Sequence, residues 1–319
     1  PREYVTGETP EGALDQLQAT DLAEQFQADC GDRSDDIGMC DADRQTLRVY
    51  DPRARLAKAH RCAVEHRILD AYGRLFAAPV SDVTRHYSVA AEIHETTDRV
   101  QYSSAISSGG FRKELLSSLA MRAYGFHHCK VKVGMQAGAD PLRLKRIRRW
   151  VGPKMDLRVD ANEAWKPEEA AARISELEEF TISCAEQPVR HADVQALAEV
   201  RDNVRTPIML DESLTSEVDA ETAIRDRTCD LFNIRLSKCG GFLASLRLAN
   251  MAHVASLGYQ LGCHPGESAI LSAAGRHFVT SVRSIRYREG SADRHLLRDS
   301  IVDRDLTFGR GGWAPALKE

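Results

Sequence analysis

Three carboxylates, Asp160, Glu186 and Asp211, each follow a short apolar run and precede a polar turn. They lie 26 and 25 residues apart, which is about the length of one strand–loop–helix–loop module. Successive modules would place one carboxylate each at the same edge of a sheet, and oxygen ligands gathered in this way suit a hard cation such as Mg²⁺. Any one of them alone could be a loop carboxylate that caps the next helix. The regular spacing of all three favours a metal site.

Two lysines alternate with valines in the segment Cys129-Lys130-Val131-Lys132-Val133. On a strand, this period of two directs Lys130 and Lys132 to one face and the valines to the other. The valines suit a face covered by helices, so we expect both lysines to point into a barrel beside carboxylates or an anionic ligand. A lysine whose pKa is lowered by its surroundings can act as a base. The alternative is a pair of surface lysines on an edge strand.

Further charged residues follow later predicted strands. Arg235 ends the sixth strand and is predicted to face the barrel interior, whereas Lys238 is interpreted as a loop or helix-start residue. Glu267 follows the seventh strand and is predicted to contact substrate or a cationic neighbour such as Arg235 or Lys132. For His264 in the same segment, a loop position and a catalytic role remain equally open.

The elements that would position these residues alternate regularly from about residue 100. Strands are predicted at 100–106, 128–133, 156–160, 182–186, 207–211, 231–236, 259–263 and 283–287. Amphipathic helices are predicted between them, at 111–124, 140–151, 167–179, 191–203, 216–227 and 242–257. Eight strands that alternate with helices predict an α/β fold with a parallel (β/α)₈ barrel, whose reactive groups lie at the C-terminal ends of the strands. The alternative is an open doubly wound sheet, but the Gly-rich turn expected after its first strand is absent from the sequence.

The first 99 residues have a different character. Residues 1–52 are polar and turn-rich with a weak helix at 11–28, and residues 53–78 show strong helical periodicity that Pro79 ends. We therefore predict a partial, mostly helical capping domain at 1–99, the barrel at 100–290 and a C-terminal return to the cap at 291–319. The chain opens at Pro1 without a methionine and stops without a closing element, so we expect both ends to be incomplete.

Composition narrows the classes of function. The 319 residues are 43% hydrophobic and 28% charged with a net charge of −4, which gives no reason to expect nucleic acid or an anionic membrane as a partner. No apolar run approaches the roughly 18 residues that span a bilayer. The eight cysteines are scattered without a Cys-x-x-Cys pair, which predicts reduced thiols and a cytoplasmic location.

Taken together, the motifs resemble the enolase superfamily over roughly residues 50–285, and most closely its muconate-lactonizing branch. The matching segments are Lys-x-Lys on strand two, Asp-Ala-Asn on strand three, Glu-Gln-Pro on strand four, Asp-Glu-Ser on strand five and Lys-Cys-Gly-Gly after strand six. That branch includes muconate cycloisomerases, o-succinylbenzoate synthases, N-acylamino-acid racemases and dipeptide epimerases. The resemblance implies a modified (β/α)₇β barrel of TIM type under an α+β capping domain, and a homo-oligomer that acts on a small carboxylate.

The resemblance also implies roles for individual residues. Mg²⁺, or Mn²⁺ in its place, would be held by Asp160, Glu186 and Asp211. Lys132 would be the acid/base, and Lys130 would tune its pKa and contact the substrate carboxylate. Independently of the resemblance, we expect Asn162, His264 and Glu267 to contact substrate.

Arg235 departs from this family pattern, because the family places a second catalytic lysine at that position. Removing a proton from arginine at pH 7 costs about 8 kcal/mol, from a pKa near 13 at ~1.4 kcal/mol per pKa unit. We therefore expect chemistry with a single base, as in a cycloisomerase or a lyase, with Arg235 as a fixed charge. Two alternatives remain, a racemase or epimerase of acylamino acids or dipeptides and a non-catalytic metal-binding descendant.

Overall fold

The eight barrel strands form a single parallel sheet in which each strand pairs with its neighbour in sequence. The structure is a computed structural model that describes residues 55–107, 110–135, 138–299 and 301–318. The turn-rich start and the weak helix predicted at 11–28 lie outside these residues. The strands, labelled in chain order, are β1 (Ser104–Ile106), β2 (His128–Lys132), β3 (Asp156–Asp160), β4 (Ile182–Glu186), β5 (Ile208–Leu210), β6 (Leu231–Ile234), β7 (Gly258–Leu261) and β8 (Ile285–Arg288).

The sheet curls until its two ends meet. The Ser103 N–H donates a hydrogen bond of 2.7 Å to the carbonyl of Arg288, which joins the start of β1 to the end of β8. The predicted first strand is in fact two strands. Its first part, Arg99–Gln101, pairs antiparallel with Trp313–Pro315, and only the second part is β1.

A helix joins each pair of consecutive strands, as the alternating pattern predicts. The main helices, labelled in chain order, are α1 (Arg55–Phe76), α2 (Phe111–Tyr124), α3 (Asp140–Val151), α4 (Pro167–Leu177), α5 (Leu197–Asp202), α6 (Glu217–Asp226), α7 (Phe242–Val254) and α8 (Ala269–Ser281). Helix α3, for example, buries an apolar stripe of Leu144, Ile147 and Val151. After β8 the chain forms only a short helix, Asp293–Leu296, before it returns to pair with Arg99–Gln101. The predicted α/β fold and its (β/α)₇β barrel variant are therefore confirmed.

Helix α1 precedes the barrel and lies across one part of its rim. It buries Cys62, Glu65 and Leu69, and it packs against the short helix Leu236–Cys239 that follows β6. Its end comes at the predicted place, because Ala77 has a positive φ of 51° and the Ala78 N–H turns back to the Gly73 carbonyl at 2.9 Å. The division of the chain into cap and barrel domains stays a prediction.

The barrel interior changes in polarity along its axis. A buried apolar layer of Cys184, Met209, Leu231 and Tyr287 fills the end where the strands begin. The buried residues nearer the strands' C-terminal ends are charged or polar, and they include Lys130, Glu186 and Asn233. Burial of charge is tolerated only where opposite charges and hydrogen bonds compensate it, so this end of the barrel is the candidate site.

Two observations bear on the predicted cellular location, the state of the cysteines and the character of the helices. The six cysteines in the described part of the chain are free thiols, and five of them are buried. Among the residues that the structure describes, no helix combines the length and the apolar character needed to cross a membrane.

Candidate active site

Strand β2 delivers both lysines to the C-terminal end of the barrel. Val131 between them is fully buried in the outer core, so the lysines take the inner face. Lys130 lies deep, with a side chain only 6% exposed, whereas the side chain of Lys132 is 33% exposed toward the opening. The two lysines of one motif therefore occupy different environments.

Lys130 is surrounded by three carboxylates. Its Nζ lies 3.3 Å from Asp160 Oδ2, 3.3 Å from Glu186 Oε1 and 2.8 Å from Glu289 Oε1. Burial alone would lower the pKa of Lys130, but Glu186, Glu289 and Asp160 together raise it above its ordinary value. Lys130 is thus held as a fixed cation.

Lys132 has a more open set of partners. Its Nζ donates to Asp160 Oδ2 at 2.9 Å and also to Asn162 Oδ1. Asn162 has a positive φ of 43°, and its N–H returns to Asp160 Oδ1 at 3.0 Å, which fixes the turn after β3. The side-chain amide of Asn162 donates to Glu212 Oε1 at 3.1 Å.

The three predicted metal ligands lie at the C-terminal ends of neighbouring strands and are almost fully buried. Asp160 and Glu186 are 0% exposed and Asp211 is 1% exposed. Burial raises the pKa of Glu186 to about 8, and the Asp160 and Asp211 carboxylates add to this rise against the opposing effect of Lys130. Such crowding of buried oxygen ligands is relieved by a divalent cation.

Amino-acid cations stand between these carboxylates. Lys130 lies between Asp160 and Glu186, and Arg235 Nη2 contacts Asp211 and lies 3.8 Å from Glu186 Oε1. As they stand, no three His, Cys, Asp or Glu side chains of the described residues are grouped closely enough to hold an ion. The donor set fits Mg²⁺ in type and charge, but an ion would have to share these carboxylates with Lys130 and Arg235.

Asp211 carries two cations. Besides Arg235, the Lys238 ammonium donates to Asp211 Oδ1 at 2.8 Å, to the Asp211 carbonyl at 2.6 Å and to the Asn233 carbonyl at 2.8 Å. Burial would raise the pKa of Asp211, but Lys238 and Arg235 lower it. The interpretation of Lys238 as a helix-start residue was incomplete, because its position in the helix Leu236–Cys239 brings the buried amine back onto Asp211.

The loop that carries Asp211 is held by Gln187, which directly follows β4. Gln187 Oε1 accepts the Asp211 N–H at 2.9 Å and the Ser213 N–H at 3.1 Å. Its amide nitrogen donates to Ser213 Oγ at 2.6 Å. The Glu-Gln-Pro and Asp-Glu-Ser motifs therefore form one hydrogen-bonded unit.

Glu267 and His264 lie together in the loop after β7. Glu267 Oε1 accepts the His264 N–H at 2.8 Å, and Ser237 Oγ lies 3.2 Å from His264 Nδ1. The structure corrects the predicted pairing of Glu267 with Arg235 or Lys132. Arg235 and Lys132 pair with Asp211 and Asp160, whereas the hydrogen bond of Glu267 closes its own loop.

Two buried residues of the site were not assigned from the sequence. Glu289 follows β8 and pairs with Lys130 and with Arg158, a fully buried residue that faces inward on β3. Burial would raise the pKa of Glu289, but Lys130 and Arg158 lower it. Both residues carried a signal, because Arg158 is two residues before Asp160 and Glu289 repeats the pattern of a carboxylate after a strand.

Comparisons with known proteins found a matching family model and several relatives. A family model described as "Enolase C-terminal domain-like" matches residues 114–316. A hydrophobic dipeptide epimerase from Enterococcus faecalis is 30% identical over 307 residues, which cover 96% of this chain and 77% of that protein. A chloromuconate cycloisomerase from Cupriavidus pinatubonensis is 35% identical over 154 residues, or 48% of this chain and 42% of that protein.

The fold is shared as well. The solved structure of the L-Ala-D/L-Glu epimerase from Bacillus subtilis superposes with a TM-score of 0.74 at 26% identity, over 82% of this chain and 70% of that chain. Fold and site together define a parallel α/β barrel with a mixed lysine and carboxylate centre at the C-terminal ends of its strands. The chain belongs to the enolase superfamily, in the group whose named relatives are epimerases, racemases and cycloisomerases.

Proposed function

We propose that this protein is a Mg²⁺-dependent enzyme, with Mn²⁺ as a possible substitute, that moves the α-proton of a small carboxylate with one base. The reaction class is that of a cycloisomerase or a lyase. The family and the arrangement of lysines and carboxylates support this proposal. Asp160, Glu186 and Asp211 would hold the metal, and a bound cation would stabilise negative charge that develops on the substrate carboxylate.

Lys132 is the acid/base in this proposal. Its amine is the more exposed of the two lysine amines and donates to Asp160 and Asn162, so it can reach a substrate at the opening. Lys130 stays charged among its three carboxylates and serves to attract and orient the anionic substrate. Asn162 orients the Lys132 amine and is placed to contact the substrate beside it.

The single observation that carries the one-base assignment is the state of Arg235. Its guanidinium is buried against Asp211, and although burial would lower the pKa of Arg235, Asp211 and Glu186 raise it further above its ordinary value. A guanidinium held in this way cannot accept a proton. Lys238 offers no substitute, because its three donors go to Asp211 and to the Asn233 carbonyl.

The second candidate is a racemase or epimerase of dipeptides or acylamino acids. The relative that is similar over 96% of this chain is named a dipeptide epimerase, and an N-succinyl-L-Arg/Lys racemase from Bacillus cereus is 32% identical over 195 residues. In this case a group other than Arg235 would have to donate or accept the proton on the second face of the substrate α-carbon.

Isotope exchange tests the proposal. A panel of N-acylamino acids, dipeptides and unsaturated dicarboxylic acids is incubated in deuterated water with Mg²⁺, and loss of the α-proton is followed by NMR. We expect metal-dependent exchange, and we expect Lys132→Ala to lower its rate by roughly 10²–10⁴-fold. Lys145→Ala on the exposed face of α3 is the control and should exchange normally. Unchanged exchange in Lys132→Ala would remove Lys132 from its role.

The setting of the enzyme is part of the same proposal. Free thiols in the described residues support the cytoplasm as its location, and the family supports a homo-oligomer. A reducing compartment would keep the buried cysteines in the state that the structure shows.

A further inference from the structure

Glu65, on helix α1 outside the barrel, is almost fully buried at 1% exposure. Its Oε1 accepts the backbone N–H of Phe242 and, at 3.0 Å, that of Leu243. These N–H groups begin α7, a helix of 13 residues whose N-cap residue is Gly241. A carboxylate at this place meets the free N–H groups and the positive end of the helix dipole.

The turn formed by Gly240 and Gly241 leaves space for the Glu65 side chain. Gly241 has a φ of +123°, and a Cβ at this position would lie 2.5 Å from Glu65 Oε1. The side chains of Lys58 and Arg61 lie 3.7 Å from the corresponding point of Gly240. The space at Gly240 would admit a Cβ, although its φ of +94° favours glycine, whereas at Gly241 only a glycine lets Glu65 of α1 approach so closely.

The same turn leads directly back to the metal centre. Gly240 and Gly241 end the short helix Leu236–Cys239, which carries Lys238 and begins beside Arg235. Both cations pair with Asp211. The position of this short helix therefore sets how Asp211 is held.

Helix α1 also reaches the loop on which Asp211 itself lies. Lys58 Nζ donates to Thr215 Oγ1 at 2.9 Å, four residues after Asp211. Thr215 is buried and is fixed in turn by Asp219 Oδ2, which accepts its N–H and its hydroxyl at 2.8 Å each. One helix thus contacts the loops that follow β5 and β6.

We infer that Glu65 is a positioning residue for the metal centre, which fixes the Arg235 and Lys238 pair against Asp211 by binding the start of α7. The inference rests on the proposed function, because it gives α1 a role in the geometry of a proposed metal ligand. Glu65 touches neither substrate nor metal in this scheme. Its effect passes through the Leu236–Gly241 turn.

Affinity for Mn²⁺ alone, measured by isothermal titration calorimetry at a temperature where all variants are folded, tests this inference. We expect Glu65→Ala to weaken binding by about tenfold, the lower range seen when groups behind a metal ligand are removed. Glu65→Gln keeps an oxygen for Phe242 and Leu243 and should bind nearly as the unmodified protein does. Glu65→Asp is too short to reach and should behave as the alanine variant.

The matched control is Glu178→Ala. Glu178 Oε1 also accepts two backbone N–H groups, those of Arg205 at 2.7 Å and Thr206 at 2.9 Å. Glu178 precedes β4 and its two N–H partners precede β5, so this contact lies at the opposite end of the barrel. Glu178→Ala should lower thermal stability without weakening Mn²⁺ binding. A general effect of destabilisation would instead weaken Mn²⁺ binding in both alanine variants and would overturn the inference.

The remaining outcomes separate the two proposals. Binding by Glu65→Ala within twofold of the unmodified protein would overturn the role of Glu65 and leave the metal centre intact. If Glu65→Ala does not fold, equal affinities of Glu65→Asp and Glu65→Gln would overturn it in the same way. Absence of Mn²⁺ binding by the unmodified protein would refute the metal centre, and this inference with it.

Discussion

Lys132 and Arg235 enter the carboxylate cluster from different strands, and their side chains differ in what they can do with a proton. The Lys132 side chain is 33% exposed, whereas that of Arg235 is 10% exposed and is paired with Asp211. A lysine can lose its proton at a cost that its surroundings adjust, but a guanidinium keeps its proton in proteins. Under the proposed function, the difference between these two residues would decide whether a base is present on one or on both faces of the substrate α-carbon.

Arg235→Lys is therefore expected to restore a second base. Single enantiomers of an accepted substrate, incubated with this variant and Mg²⁺ in deuterated water, should yield both labelled enantiomers, whereas the unmodified protein should label without inversion. Chiral chromatography with mass spectrometry measures the ratio. Arg201→Lys, whose parent residue pairs with Asp230 before β6, is the matched control and should leave stereochemistry unchanged. Inversion by the unmodified protein would show that the one-base proposal is wrong.

Among the site residues, the sequence predicted those whose type and spacing repeat. It missed the residues whose role depends on contacts with partners distant in sequence. Asp160, Glu186 and Asp211 stood out because each ends a strand at a regular interval. Glu289 also follows a strand, but its role could not be assigned from that pattern, because it depends on Lys130, 159 residues away in sequence. The contact of Lys238 with Asp211 likewise arises only when the helix Leu236–Cys239 folds back over the strand end.

Among the elements, periodic segments were predicted well and pairing partners were not. Helices α2 and α3 have the bounds that their apolar spacing predicted. The predicted strand at 100–106 was wrong as a single unit, because Arg99–Gln101 pairs with Trp313–Pro315 from the far end of the chain. A local pattern shows that a segment is extended, but it does not show which strand it joins.

The contact between helices α1 and α7 makes stability depend on pH. Burial raises the pKa of Glu65 to about 7, against the opposing effects of the Leu243 N–H, Arg61 and Arg247. The folded protein therefore binds this proton more tightly than the unfolded chain, whose carboxyl titrates near 4.5. The contribution of this group to the free energy of unfolding is fully present below about pH 4.5 and is lost as pH rises through about 7. The total loss is about 3 kcal/mol.

Glu65→Gln should remove this dependence, because glutamine stays neutral across the range. Urea unfolding at pH 5, 6, 7 and 8 measures the free energy of unfolding of each protein. As pH rises, the free energy of unfolding of the glutamine variant should increase relative to that of the unmodified protein. Glu178→Gln is the control. Arg205 and Thr206 lower the pKa of Glu178 despite its burial, so its contribution is constant above about pH 5. Parallel curves for the unmodified protein and Glu65→Gln would contradict the prediction.

The two ends of the barrel differ in composition, with an apolar layer at one end and a charged layer at the other. The layer of Cys184, Met209, Leu231 and Tyr287 closes the end where the strands begin and supplies apolar packing. The charged layer above it costs free energy unless its members are paired, and even paired buried charges add little net stability. Binding of a cation to this layer should therefore be visible in the stability of the entire barrel.

Mg²⁺ is expected to stabilise the folded protein through this linkage. At a free concentration of one hundred times Kd, a ligand that binds only the folded state adds about 2.7 kcal/mol. Thermal unfolding with increasing Mg²⁺, and again after EDTA, should show a rise in Tm that chelation reverses. Asp211→Asn should lose most of this Mg²⁺-dependent rise, whatever its own Tm, because it removes one of the three proposed ligands. Asp226→Asn on α6 alters contacts with Arg225 and Gln195, away from the three proposed ligands, and should keep the Mg²⁺-dependent rise. Equal Mg²⁺-dependent shifts in the two variants would place the cation elsewhere than at Asp211.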